Sequence, residues 1–262
     1  MDVAAFEKAR LTRDARYDGR FFTGVTSTGI YCRPICPAPP AKAANVQYYL
    51  SAAAAAEAGF RPCLRCRPEA APGTPAWAGA SSSVTRALRL IGEGALDTAS
   101  VDELAERLGI GSRHLRRLFL HYLGATPIAV AQTRRVHFAK TLIDQTGLPM
   151  TEIALASGFS SIRRFNATFR NLYGRTPSEL RSLTASGRTP QEQGHYVLHL
   201  SYRPPQVARE FQRRISFNGR QGHMEVRPVR GKNQVELRID FPEPAALLRI
   251  VNLVRRKLDL EK

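Results

Sequence analysis

The 262-residue chain contains no run of 18 apolar residues, and its opening MDVAAFEKARLTRDARYDGRFF is charged every few positions. The first absence excludes a transmembrane helix and the second a secretory leader, so a cytoplasmic protein is expected. Acidic residues are scarce, with 22 Asp and Glu against 39 Lys and Arg, a net charge of +17. Cysteine is scarcer still: four residues, all between Cys32 and Cys66. So small and clustered a set does not suit a disulfide-stapled secreted domain, and in a reducing compartment it favours metal ligation.

What is present is a globular composition, 43% hydrophobic with a mean hydropathy of −0.28, in a chain long enough for two or three small domains. The positive charge belongs to no single tail. Basic residues outnumber acidic ones by 10 to 6 over residues 1–70, by 14 to 8 over 84–184 and by 15 to 8 over 185–262. Each cation set beside a phosphate releases a condensed counterion, so this spread suits a long polyanion and points to nucleic acid rather than a membrane.

Two stretches poor in charge punctuate the chain, Ala70 to Ser83 and Ala185 to Gly194. Their Pro, Gly, Ser and Ala content reads as linker. The resulting division is a first domain at 1–70, a linker at 71–83, a second domain at 84–184, a linker at 185–194 and a third domain at 195–262. In the second domain Leu104, Leu108, Leu115, Leu118 and Phe119 recur at helical spacing. After Gly194 the pattern alternates, through Tyr196 to Leu200, Met224 to Pro228 and Val235 to Ile239, and then turns helical from Pro244 to Leu260. A small sheet with one helix is expected there.

The second domain repeats itself. Leu104-Ala105 returns as Ile153-Ala154, Phe119 as Phe169, and Gly124-Ala125-Thr126-Pro127 as Gly174-Arg175-Thr176-Pro177, at offsets of 49 to 50 residues. Each copy reads as a helix, a turn at Gly109 or Gly158, and a second helix with polar and basic residues away from the core. Those residues are Ser112, Arg113, Arg116 and Arg117 in the first copy and Ser161, Arg163, Arg164 and Asn166 in the second. This is helix-turn-helix anatomy, and these eight side chains are the expected DNA contacts. A connecting helix from about Ile128 to Asp144 would span ~25 Å, against ~34 Å between successive major grooves, so a monomer is expected to read one face of one duplex. The segment GFSSIRRFNATFRNLYGRTPSELR resembles the AraC-type DNA-binding domain. The resemblance implies a transcription factor, with RNA polymerase as a partner and residence on the nucleoid.

Cys32-x3-Cys36 and Cys63-x2-Cys66 form two short pairs that can each give two thiolates to one tetrahedral Zn²⁺. A redox dithiol is the alternative for the second pair, but the first pair and the missing βαβ context weigh against it. On spacing alone such a site is structural. The expected fold class is therefore a multidomain α+β chain: a small zinc-bound α/β domain, an all-α double helix-turn-helix domain and a small C-terminal α+β domain.

Thr28-Gly29-Ile30-Tyr31-Cys32-Arg33-Pro34-Ile35-Cys36, Asn45-Val46 and Ala58 to Cys66 resemble the N-terminal domain of the Ada-type alkylation-response proteins over about residues 7–69. That family also carries an AraC-type domain next in order. The resemblance implies suicidal transfer of a methyl group from a DNA methylphosphotriester to Cys32, with Cys36, Cys63 and Cys66 remaining as ligands. Thr28, Arg33, Arg61 and Arg65 are the expected contacts to the methylated backbone. The family's arginine after the second cysteine is missing here, where the chain reads Pro37-Ala38-Pro39-Pro40.

Zinc keeps a cysteine deprotonated at neutral pH, which suits attack on a methyl carbon. Four thiolates around Zn²⁺ carry a formal −2, and methylation makes this −1. At an effective dielectric of ~20 and a distance of ~8 Å, one charge alters the interaction with a phosphate by about 2 kcal/mol before screening. Repair would in this way tighten promoter binding. The alternative functions are a regulator with a purely structural zinc and a truncated repair fusion without independent activity.

Tyr202-Arg203-Pro204-Pro205, Gly222 to Val226 and Arg255 to Leu260 resemble the N-terminal domain of AlkA-type DNA glycosylases. The chain is shorter than that family between Pro205 and Ile215, where a helix and a connecting strand are expected. It also ends before that family's helix-hairpin-helix and catalytic Asp, so no glycosylase activity is expected. Pro62-Cys63-Leu64-Arg65 is similar to the active-site sequence of the O6-methylguanine transferases but lacks their histidine, and that activity is not expected either.

Overall fold

The computed structural model describes residues 2–72, 82–183, 194–202 and 208–260. It divides into two compact units, residues 1–134 and 135–262, with the boundary inside a helix rather than at an expected linker. Most of both linkers, and Arg203-Pro204-Pro205, lie outside the described residues. Ser82 and Ser83, read as the end of the first linker, already belong to a helix.

The first unit opens with α1 (Val3–Thr12), β1 (Phe22–Val25), β2 (Ile30–Cys32), β3 (Val46–Tyr49), α2 (Ala52–Glu57) and β4 (Arg61–Pro62). The strands form a sheet in the order β3-β1-β2-β4, antiparallel except for the parallel pair β2 and β4. Phe22, Tyr31, Ala52, Ala55 and Phe60 fill one side of it, and α1 lays Phe6 and Ala9 on Phe21. Glu7 and Arg10 of α1 pair at 2.6 Å, and the Tyr48 hydroxyl donates to Glu7, fastening the helix to β3.

The unit continues with α3 (Ser82–Gly92), α4 (Ala95–Thr98), α5 (Val101–Arg107), α6 (Ser112–Leu123) and the start of α7 (Pro127–Gln145). The second unit holds the rest of α7, then α8 (Met150–Ala156), α9 (Ile162–Tyr173) and α10 (Pro177–Leu183). The duplication is structural as well as sequential. Both α6 and α9 have 12 residues, and both end on a left-handed glycine, Gly124 at φ 64° and Gly174 at φ 66°. Only glycine takes that conformation freely, so it stops the helix. Two residues later a threonine caps the next helix: Thr126 Oγ1 accepts from Ala129 N and Thr176 Oγ1 from Glu179 N, with Pro127 and Pro177 in the first turn. The buried triplets Leu115, Phe119, Leu123 and Phe165, Phe169, Tyr173 match at an offset of 50.

The C-terminal segment forms an antiparallel sheet in the order β5-β8-β7-β6, from β5 (His195–Ser201), β6 (Phe211–Phe217), β7 (Arg220–Pro228) and β8 (Gln234–Asp240), followed by α11 (Leu247–Leu260). The strand β6 falls where the alternation reading assigned none; Asn218 and Gly219, both at positive φ, turn it back into β7. This segment shares one core with the second helix-turn-helix, from Leu142, Ile153 and Phe165 through Leu198, Val226 and Leu237 to Val254. The Gln145 amide also bonds the His199 main chain both ways, at 2.7 and 3.3 Å.

Candidate metal centre and nucleic-acid interface

The parallel register of Tyr31 with Pro62 sets Cys32, at the end of β2, beside Cys63, just after β4. Cys63 N donates to Tyr31 O at 3.0 Å, and tight turns carry the chain from Arg33 to Cys36 and from Cys63 to Arg67. All four sulfurs lie within 4.8 Å of one another. A tetrahedron with Zn–S bonds of ~2.3 Å has edges of ~3.8 Å, so the donor set and its spacing suit zinc.

The four sulfurs are not equivalent. Cys63 and Cys66 are buried, whereas Cys32 and Cys36 are half-buried and form the accessible side. One main-chain amide bonds the cluster directly: Arg33 N donates to Cys66 Sγ at 3.3 Å. The clustered thiols share protons, so the Cys32 thiol, donating to Cys36, is the chief cause that lowers Cys36 to about 7, while Cys32 itself is pushed up.

Arg33, expected to contact the DNA backbone, is not presented to solvent. It is buried with its guanidinium paired to buried Asp18, and Nη1 donates to Cys66 O at 3.1 Å. A buried cation needs a partner, and Arg33 has a carboxylate and a carbonyl in place of a phosphate. Thr28, Arg61 and Arg65 are exposed. Arg13, which the sequence reading passed over, is exposed at the end of α1 and reaches the carbonyls of Pro37 and Ala38 at 3.4 Å. It lies where the chain lacks an arginine after Cys36, a placement the local sequence does not signal because it comes from 24 residues upstream.

On α6, Arg113, Arg116 and Arg117 are exposed and Ser112 is half-buried; on α9, Arg163, Arg164 and Asn166 are exposed. Ser161 is the N-cap of α9 and accepts from Arg164 N at 3.3 Å, whereas α6 is capped by Gly111, which has no side chain to offer. Ser161 therefore corresponds to Gly111, not to Ser112. At the offset of 50, Arg113 answers Arg163 and Arg116 answers Asn166. Arg170, one turn beyond Asn166 and exposed, extends the α9 face, and its i+7 spacing from Arg163 was the signal for it.

Comparison with known proteins places residues 5–69 in the family model described as the metal binding domain of Ada and residues 104–182 in a helix-turn-helix domain. The bifunctional transcriptional activator/DNA repair enzyme AdaA of Bacillus subtilis is 30% identical over 184 residues, covering 70% of this chain and 84% of that protein. A probable bifunctional transcriptional activator/DNA repair enzyme AlkA of Mycobacterium tuberculosis is 42% identical over 230 residues, 87% of this chain but only 45% of its own length. The solved DNA methyl phosphotriester repair domain of Escherichia coli Ada is 46% identical over 26% of this chain and 73% of that one, with a TM-score of 0.24, too low to show a shared overall fold. Among the described residues no helix is long and apolar enough to cross a membrane. With the metal-binding and helix-turn-helix domains in this order, and a relative matched over most of its length, the chain belongs to the Ada family of bifunctional transcriptional activator and DNA repair proteins.

Proposed function

We propose that this protein removes the methyl group from methylphosphotriesters in double-stranded DNA, keeps it on Cys32, and in that state activates transcription. The observation that carries the reading is the asymmetry of the sulfur cluster. Cys32, at the end of β2, is half-buried on the accessible side of the cluster, whereas Cys63 and Cys66 are buried. Cys36 shares that side, and locating the transferred methyl distinguishes the two.

Cys32, Cys36, Cys63 and Cys66 would hold one Zn²⁺, which keeps all four sulfurs deprotonated at neutral pH. The Cys32 Sγ lone pair attacks the methyl carbon; an S–C bond forms as the C–O bond breaks, and the electron pair stays on oxygen to restore the phosphodiester anion. No proton moves and no base is needed. The thioether is stable, so each molecule acts once. Arg61, exposed on β4, and Arg65, exposed on the turn between Cys63 and Cys66, would hold the flanking phosphates.

Promoter reading falls to α6 and α9. Each presents exposed arginines, and α9 carries Arg163, Arg164 and Arg170 with no acidic residue. Two such units in one chain suit a monomer, and activation would act through RNA polymerase. The test is incubation with duplex bearing a methylphosphotriester, then mass analysis of the peptide containing Cys32, where a gain of one methyl group (about 14 Da) is expected.

A further inference from the structure

The five consecutive alanines Ala52 to Ala56 serve neither the sulfur cluster nor the DNA-facing helices. Their helix, α2, is packed on two sides. Ala52 and Ala55 face Phe22, Tyr31 and Phe60 in the core of the zinc domain. Ala53 and Ala54 face Ala125 and Ala129, which follow α6 and open α7 in the first helix-turn-helix, with Tyr49 and Val130 at the margin. A Cβ on Gly124, the glycine that ends α6, would stand 3.4 Å from Ala54 Cβ. Only side chains as small as alanine let a helix be approached this closely on two sides.

One hydroxyl joins the two domains. Ser51 Oγ accepts from Ala54 N at 3.0 Å as the N-cap of α2, and it donates to Leu123 O, the last residue of α6, at 2.8 Å. Both bonds are buried. Helix starts leave amides without partners and helix ends leave carbonyls, so a single side chain satisfies one of each across the seam. Thr126, the cap of α7, also reaches Glu57 at the far end of α2, at 3.5 Å.

We propose that α2 is a coupling strut, holding the zinc domain and the first helix-turn-helix as one DNA-binding body so that Cys32 keeps a fixed position relative to the exposed face of α6. The idea rests on the methyl-transfer reading and deepens it, because it says how repair reaches promoter recognition. When two sites lie on one rigid body, tighter phosphate binding at one adds directly to base reading at the other; on a slack tether only effective concentration links them. The seam sets the geometry.

The test uses the full chain with zinc bound. A54L and A129L each wedge the seam from one side, and a third variant inserts ten Gly and Ser residues after Thr74. The DNA probe is a duplex selected from a random pool by methylated wild-type protein. Both wedge variants are expected to retain zinc and to accept methyl from a methylphosphotriester duplex, but to lose at least about fivefold of the affinity gained on methylation. The insertion is expected to keep that gain within about threefold. Wedge variants that gain as much as wild type, or an insertion that abolishes the gain while the wedges do not, would overturn the proposal. Hydrogen exchange in the DNA-free protein decides the seam even if wild type accepts no methyl, an outcome that would remove the repair reading instead. A129L must speed exchange at residues 51–56 across the seam, and unchanged exchange there would also overturn it.

Discussion

Arg33 grips Cys66 twice: its main-chain N–H donates to the sulfur at 3.3 Å, and its guanidinium donates to the carbonyl oxygen at 3.1 Å. The same guanidinium is paired with buried Asp18. An arginine that sequence reading offers to DNA is thereby a brace for the metal-side turn. Removing one member of a buried pair strands the other charge, so Arg33→Met or Asp18→Asn should each destabilise the zinc domain by about 3 to 5 kcal/mol. Thermal unfolding checks this. The salt dependence of nonspecific DNA binding separates the roles further. Arg61→Ala and Arg65→Ala should each lower the slope by about one, whereas an Arg33 variant that retains zinc should leave it unchanged.

The two recognition helices should each contribute to promoter affinity. Arg113→Ala on α6 and Arg163→Ala on α9, at equivalent positions of the repeat, are each expected to cost ~1 to 3 kcal/mol against a selected duplex and less against random DNA. Arg170→Ala tests the extension of the α9 face. Loss confined to one helix, measured by titration at fixed salt, would assign base reading to that helix alone.

Metal removal should act on one part of the chain. The zinc domain buries few large side chains, chiefly Phe6, Phe21, Phe22, Tyr31 and Phe60, so a large part of its stability should come from ligation. A strong chelator is expected to release about one Zn²⁺ per chain and to abolish exchange protection in residues 2–72. The second unit, with its own continuous core, should keep its protection. Equal loss in both would show that the second unit depends on the metal.

A pH effect is expected in the second unit. His137 on α7 keeps part of its surface exposed, yet burial, followed by the charge of Arg255, pushes its imidazole down to about 3. Above pH ~6.5 the ring is neutral whether the chain is folded or not, and it adds no pH dependence. As the pH falls below that value the unfolded chain takes up a proton that the native ring refuses, so stability drops by up to about 1.4 kcal/mol per unit until the folded value is reached. Denaturant unfolding between pH 7 and 5 should show this slope, and His137→Leu should flatten it.

Much of this was legible because it rests on local rules. Gly124 and Gly174, each followed two residues later by Thr and then Pro, mark a helix stop and a new start wherever they occur, so the duplication could be read before any coordinates. The cysteine pairs carry their spacing in the same way. What was missed depends on residues distant in the chain. Nothing near Arg33 announces Asp18 fifteen residues earlier, or Cys66 thirty-three later, so its burial could not be read from its neighbours. Arg13 reaches Pro37 and Ala38 only because α1 folds back over that loop. Ser51 and Leu123 are 72 residues apart, and an alanine run reads as a good helix former without saying which sides it buries. The strand β6 is different: Asn218-Gly219 between Phe217 and Arg220 is a hairpin signal in the sequence itself, but Gln212-Arg213-Arg214 breaks the apolar alternation that marks a strand.

The central claim is that Cys32 is the methyl acceptor. Its most direct test is peptide mass analysis of zinc-loaded protein after reaction with excess methylphosphotriester duplex. The account predicts one methyl group per chain, on the Cys32 sulfur, with Cys36, Cys63 and Cys66 unmodified and zinc retained. Methyl on Cys36 instead, or no methyl on any cysteine of a protein that has kept its zinc, would contradict it.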